Sequence, residues 1–231
     1  DVTSGQYGND ATYTVIVTAS EALENQPDLT LAGGTVGDGA GSGGGSATIW
    51  TYTFTPTDND EAVTINVAAG GITDAAGNDN TAAATQFLFT HDRTAPTITT
   101  VAVAGATEDA YGVASTYVVT ITPSETLSAV PTLTVTGGSI TTAGAASGDN
   151  YVYTVTPSDA DEAVTVVIAA GGATDVAGTV SAAASNNFGW THDGTVPTVT
   201  SIAVTGVTSG QYGTAATYQV IVTGSETLDG A

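Results

Sequence analysis

The chain has 231 residues, of which 23 are acidic and one is basic, so its formal net charge at pH 7 is −22. Such a charge repels phosphate backbones and anionic lipid surfaces, which excludes nucleic acid and anionic membranes as expected partners. Cysteine is absent, so neither disulfides nor thiol chemistry are available. No stretch approaches the roughly eighteen consecutive apolar residues that a membrane span needs, and we expect no membrane insertion in this segment.

Two interpretations of the uncompensated carboxylates stay open. In the first, they keep the chain soluble through self-repulsion, particularly in salty surroundings that screen the charges from one another. In the second, some of them are neutralised by bound divalent cations, which prefer carboxylate oxygens as ligands.

The chain is a tandem repeat. Residues 2–23 read VTSGQYGNDATYTVIVTASEAL, and close variants return at 106–127 and 207–228. The segment 52–78, which contains TPTDNDEAVT, returns in the same way at 153–179. A period of about one hundred residues is too long for the turns of a solenoid and indicates whole domains in tandem. We therefore predict three units, namely residues 1–92 without a first strand, residues 93–193 as a complete repeat, and residues 194–231 as the first strands of a third repeat.

Apolar residues alternate with threonine inside each unit. In the segment 49–55, IWTYTFT, the aromatic residues share one face and the threonines share the other, and the segment 116–121, TYVVTI, alternates in the same way. This alternation is typical of half-buried antiparallel strands. In the second unit, alternation and turn signals together predict about seven short strands, near residues 97–104, 116–122, 132–136, 139–142, 151–156, 163–168 and 186–191. We predict an all-β fold of tandem immunoglobulin-like antiparallel β-sandwiches with about seven strands each.

Several short motifs resemble the bacterial Ig-like repeats of giant surface adhesins and biofilm-associated proteins. They are the SE after the second strand, the TP that ends a middle strand, the loop TDAAGN at 73–78 and the joint DGTVP at 193–197. The second unit departs from the pattern, because Thr179 stands where the family has asparagine. The resemblance covers nearly the whole chain. It implies extracellular stalk modules, often stiffened by Ca²⁺ between domains, and no catalytic activity.

Acidic loops are expected to converge where one module meets the next. In a sandwich of seven strands, the loop after the fifth strand lies at the end that faces the following module. The loops after the second and sixth strands lie at the opposite end. Stacked modules therefore bring acids from both sides to each joint, where their oxygens suit Ca²⁺. The predicted ligands are Asp58, Asp60, Asp92, Glu125 and Asp175 at the first joint, and Asp159, Asp161, Asp193 and Glu226 at the second. The alternative is that these acids are ordinary solvated loop residues.

Two other features suggest sites but have simpler explanations. His91 and His192 occupy the same position in a repeated motif, which reads THDRTAPT in the first unit and THDGTVPT in the second. Because neither unit holds a second histidine or a cysteine to complete a transition-metal site, we interpret both histidines as structural. If exposed, Trp50 and Tyr52 would offer a platform for a sugar ring, but their alternation with threonine favours a place in the core.

We predict a non-enzymatic structural protein located outside the cell or on its surface. Its modules form a stiff stalk or filament of a bacterial or archaeal surface protein, rigidified by Ca²⁺. The expected partners are neighbouring repeats of the same protein, with head-to-tail or lateral self-association. Two alternatives stay open: a module that binds glycans or proteins, and accessory domains of a secreted hydrolase.

The first unit's missing strand also has two explanations. Either these residues are a window on a longer repeating polypeptide, or the last strands of one chain complete the open edge of a neighbour.

Overall fold

The computed structural model describes residues 2–41, 47–147, 149–182 and 187–227, and the regular elements in this part of the chain are all β-strands. The strands of the first module are β1 (Tyr7–Gly8), β2 (Tyr13–Thr18), β3 (Leu29–Ala32), β4 (Gly34–Val36), β5 (Ala40–Gly41), β6 (Ile49–Pro56), β7 (Asp60–Val67) and β8 (Phe87–Asp92). Those of the second module are β9 (Ile98–Ala104), β10 (Tyr111–Gly112), β11 (Tyr117–Pro123), β12 (Leu133–Thr136), β13 (Gly138–Ser147), β14 (Asn150–Pro157), β15 (Asp161–Ile168) and β16 (Phe188–Asp193). The C-terminal strand pair is β17 (Val199–Val204) and β18 (Val220–Gly224).

Each module contains two sheets. In the second module, one sheet has the order β13-β14-β11-β9 and the other has the order β10-β16-β15-β12. This is the strand pairing of a seven-stranded Ig domain, with the short β10 added parallel to β16. The first module has the orders β2-β6-β4, with β5 on β6, and β1-β8-β7-β3, without a counterpart of β9 among its described residues. The predicted all-β, Ig-like fold class is confirmed.

Two strands of the second module differ from the prediction. β13 extends over Gly138–Ser147 instead of 139–142, because its pairing with β14 shifts register twice and so continues along the neighbouring strand. The sequence did not predict β10, Tyr111–Gly112, since a strand of two residues has no periodicity to detect.

The apolar faces of the alternating strands form the cores. In β11, Tyr117 and Ile121 are both 0% exposed. In β6, Tyr52 and Phe54 are 2% and 0% exposed, while Trp50 near the start of the strand is half-buried. Tyr52 is therefore a core residue, and no sugar platform forms on its ring.

The C-terminal strand pair has the same alternation of apolar residues as β9 and β11, but its apolar side chains are more exposed. Val220 and Val222 of β18 are 59% and 53% exposed. Val119 and Ile121, at the same positions of the preceding repeat, are both 0% exposed. The difference arises because no second sheet covers β18 in the described part of the chain. Nor do the described residues include an apolar helix of membrane-spanning length.

Candidate metal centre

The linker between the two modules is short and is held on both sides. Residues 93–97 connect β8 to β9. On the side of the first module, Thr94 Oγ1 donates to Asp60 Oδ2 at 2.5 Å. On the side of the second module, Thr97 N donates to Ser124 Oγ at 3.0 Å, and Ser124 N donates to Thr97 O at 2.8 Å. These hydrogen bonds fix the linker against the end of each sandwich.

Three carboxylates from two modules meet at this linker. Asp92 is the last residue of β8, and Glu125 directly follows the serine that holds the linker. Asp175 arrives from the loop after β15, where its backbone forms an antiparallel bridge with Leu127. One oxygen from each carboxylate lies within 4.8 Å of the other two. Among the described residues, this is the one group of three potential metal ligands at such distances.

Asp175 is the most deeply buried member of the group, at 0% exposure. Its Oδ1 accepts a hydrogen bond from Thr179 N at 2.7 Å. Its Oδ2 is buried and has no hydrogen-bond partner. A buried carboxylate oxygen without a donor is costly, and a bound cation would remove that cost.

The carboxylates at the joint shift the pKa values of one another. Burial raises the pKa of Asp92, and the nearby Asp175 carboxylate raises it further. Burial likewise raises the pKa of Glu125, with smaller contributions from Asp92 and Asp175. Asp60 lies directly opposite Asp92 in the β7–β8 ladder, but the hydrogen bond from the Thr94 hydroxyl lowers the pKa of Asp60. Several carboxylates therefore face one another at the joint, and a divalent cation would relieve their mutual repulsion.

The ligand chemistry suits a hard cation. The cleft beside the carboxylates has a volume of about 380 Å³, and its lining includes Asp60 and Asp92 from the first module and Glu125 from the second. Ca²⁺ takes six to eight oxygen ligands, part of which water supplies in most sites. The residues present fit Ca²⁺: Asp92, Glu125 and Asp175 would hold it, and Asp60 lies beside them.

Not every predicted ligand belongs to this group. Asp58 and its counterpart Asp159 are exposed on their turns. Glu61, in the same loop as Asp58, instead closes its turn, because its Oε1 accepts hydrogen bonds from Thr57 N at 2.6 Å and Asp58 N at 2.8 Å.

The second joint repeats part of the arrangement. Thr195 Oγ1 donates to Asp161 Oδ2 at 2.7 Å, and this bond lowers the pKa of Asp161. Asp193 Oδ1 and Glu226 Oε1 are both buried without a hydrogen-bond partner. The described residues contain no counterpart of Asp175 at this joint.

The roles of Thr94, Ser124 and Thr179 at the joint were not predicted from the sequence. A signal existed for the first two, since Thr94 returns as Thr195 and Ser124 returns as Ser225, each within a repeated phrase. Ser225 Oγ accepts a hydrogen bond from the linker at the second joint, as Ser124 does at the first. For Thr179 the only signal was its departure from the asparagine of the first unit.

Comparison with known proteins identifies the first repeat. Residues 2–90 match the family model of a bacterial Ig-like domain, so the resemblance to bacterial Ig-like repeats is confirmed for these residues. No curated protein matches the chain.

Among solved structures, one similar chain is SGBP-B of the Bacteroides ovatus mixed-linkage glucan utilization locus, in complex with a mixed-linkage heptasaccharide. The identity is 14%, the match covers 92% of this chain and 49% of that one, and the TM-score is 0.23. This chain thus spans about half the length of that protein.

Proposed function

We propose that this chain is a series of structural modules on the outside of a bacterial or archaeal cell, and that Ca²⁺ bound at the joints stiffens the series into a stalk or filament. The observation that carries the proposal is the buried, unpartnered Oδ2 of Asp175, which lies beside Asp92 and Glu125.

The site would act as a clamp because its ligands come from two modules. Asp92 ends the last strand of the first module, whereas Glu125 and Asp175 belong to loops of the second. An ion that binds all three carboxylates stabilises the single arrangement of modules in which they meet. At a free Ca²⁺ concentration ten times the dissociation constant, this favours the closed joint by about 1.4 kcal/mol, or roughly tenfold.

At the second joint, carboxylates of two units offer part of the same ligand set for Ca²⁺. Asp193 and Glu226 each present a buried oxygen without a partner, and Asp161 lies opposite Asp193 in the β15–β16 ladder. The partners of each module in this proposal are the neighbouring repeats, with self-association of chains as an extension of the same contacts.

Trypsin provides a direct test, because Arg93 is the only lysine or arginine in the chain and lies in the first joint. Its side chain is exposed and therefore accessible to trypsin. Cleavage after Arg93 yields fragments 1–93 and 94–231, and the cleavage rate depends on how often the linker opens. We expect Ca²⁺ at ten times its dissociation constant to slow cleavage about tenfold relative to chelator. Mg²⁺ at the same concentration should slow it less, since Mg²⁺ gives up its water reluctantly.

The matched variants are Asp175→Asn and Asp74→Asn, which make the same change in the same loop of the two modules. Asp175→Asn should abolish the protection by Ca²⁺, and Asp74→Asn should leave it intact. A small arginine ester, cleaved in parallel, corrects for any effect of Ca²⁺ on trypsin itself. Equal cleavage of the wild-type chain in Ca²⁺ and in chelator would refute a calcium joint.

The two alternative functions gain no support from the described residues. Binding of a sugar ring at Trp50 and Tyr52 is disfavoured, because Tyr52 is 2% exposed. A role as accessory modules of a secreted hydrolase depends on a catalytic domain outside these residues and stays a prediction.

A further inference from the structure

The two modules carry the same loop with one informative difference. In the first module, Asp74 Oδ1 accepts hydrogen bonds from the backbone N–H groups of Ala76 and Asn78, both at 2.8 Å. Asp74 Oδ2 accepts a third hydrogen bond, from Asn78 Nδ2, at 2.8 Å. The loop therefore supplies a donor to both oxygens of its own carboxylate, so that neither oxygen depends on an external ligand for a partner.

In the second module the residue at the position of Asn78 is Thr179. Its backbone N–H still donates to Asp175 Oδ1, at 2.7 Å, so the turn is preserved. Its side chain turns to the first module instead, where Oγ1 donates to the carbonyl oxygen of Asp92 at 3.4 Å and accepts from Asn9 Nδ2 at 3.3 Å. Asp175 Oδ2 consequently has no donor and stays buried.

We propose that Thr179 is a specificity-determining residue of the joint: it withholds from Asp175 Oδ2 the amide donor that asparagine supplies in the first module, and so leaves that oxygen free for a divalent cation. The inference rests on the calcium joint proposed above and adds a rule to it. A loop with threonine at this position contributes a metal ligand, whereas a loop with asparagine satisfies its own aspartate.

Thr179 has a second contact that must be separated from this effect. Because its hydroxyl bonds Asp92 O and Asn9, its replacement also removes a direct link between the modules. Thr179→Val removes the hydroxyl without giving Asp175 a donor, and Thr179→Asn removes the hydroxyl and restores the donor. The difference between these two variants isolates the donor.

The experiment is a calcium titration of the full chain, followed by the trypsin cleavage rate after Arg93. For Thr179→Asn we expect the Ca²⁺ concentration at half-protection to rise roughly tenfold, the usual size of a change beside a metal ligand. For Thr179→Val it should stay within about threefold of wild type. Asn78→Thr, the reverse exchange in the first module, should leave the titration unchanged, because that loop does not reach the joint after β8.

The outcomes separate the two proposals. If the wild-type chain responds to Ca²⁺ and Asp175→Asn abolishes the response, but Thr179→Asn titrates like wild type, the role of Thr179 is wrong and the calcium joint stands. If Thr179→Asn and Thr179→Val weaken the response equally, the hydroxyl contact matters and the donor does not, which also overturns the inference. If the wild-type chain shows no response to Ca²⁺, both proposals fail together.

Discussion

At the scale of single residues, the two histidines are buried and hydrogen-bonded in the interior of their modules. His91 is 2% exposed, and its Nδ1 shares a 2.9 Å hydrogen bond with the hydroxyl of Tyr13. His192 and Tyr117 form the same pair, also at 2.9 Å. The glycine of the repeated YG motif belongs to this contact, because a Cβ at Gly112 would lie 2.7 Å from the Tyr117 hydroxyl. The YG motif and the tyrosine shortly after it thus meet the distant histidine near the end of the same repeat, and the histidine is a structural residue.

Removal of the Tyr117 hydroxyl should destabilise the second module. Tyr117→Phe keeps the ring against Trp190 but leaves the buried Nδ1 of His192 without a partner, which costs about 1–3 kcal/mol. The measurement is urea unfolding by tryptophan fluorescence in a Trp50→Phe background, so that Trp190 is the sole reporter. Tyr111→Phe, on a side chain that is 74% exposed, is the matched control and should change stability by less than about 0.5 kcal/mol. Equal effects of the two substitutions would contradict a structural role for the pair.

At the scale of elements, the turn between β12 and β13 requires glycine for two separate reasons. Gly137 has a φ of +71°, in the left-handed region, and a Cβ there would lie 2.1 Å from the carbonyl oxygen of Ala163. Gly171, in the loop after β15, has nearly the same φ of +72° but no atom within 4 Å of its Cβ position. A comparison of alanine substitutions at the two glycines therefore distinguishes the cost of the left-handed backbone from the cost of steric crowding.

Gly171→Ala should cost about 1–2 kcal/mol, the price of a left-handed alanine. Gly137→Ala should cost at least about 1 kcal/mol more, because β12 must also move away from β15 to admit the methyl group. Urea unfolding of the second module, with Trp190 as the reporter, measures both. If the two variants were equally stable, crowding at this turn would have no part in the choice of glycine.

At the scale of the whole molecule, burial depends on how many strands of a repeat are present together. β9 and β11 belong to a sandwich with two sheets, while β17 and β18 form a sheet of two strands. An isolated pair of strands is marginally stable in water, because its apolar face has nothing to pack against. The valines of β18 are exposed because of this difference.

Hydrogen exchange should show the same contrast. We expect the amides of β18 to exchange close to the rate of an unfolded chain, and those of β11 to be protected by several orders of magnitude. Mass spectrometry of peptides that cover 117–123 and 218–224 makes the comparison between segments of similar sequence. Comparable protection of the two segments would show that something other than an opposing sheet stabilises these strands.

The sequence by itself determined the all-β class, the tandem repetition and the loops in which acids gather. These properties follow from alternation with a period of two and from repeated phrases, both of which are local and legible along the chain. Only the tertiary structure decided that Asp92, Glu125 and Asp175 meet while Asp58 stays exposed, and that one oxygen of Asp175 is buried without a donor. It also decided that valine is buried at position 119 and exposed at position 220. Burial and hydrogen-bond satisfaction depend on atoms from distant parts of the chain, so a pattern read along one strand does not contain them.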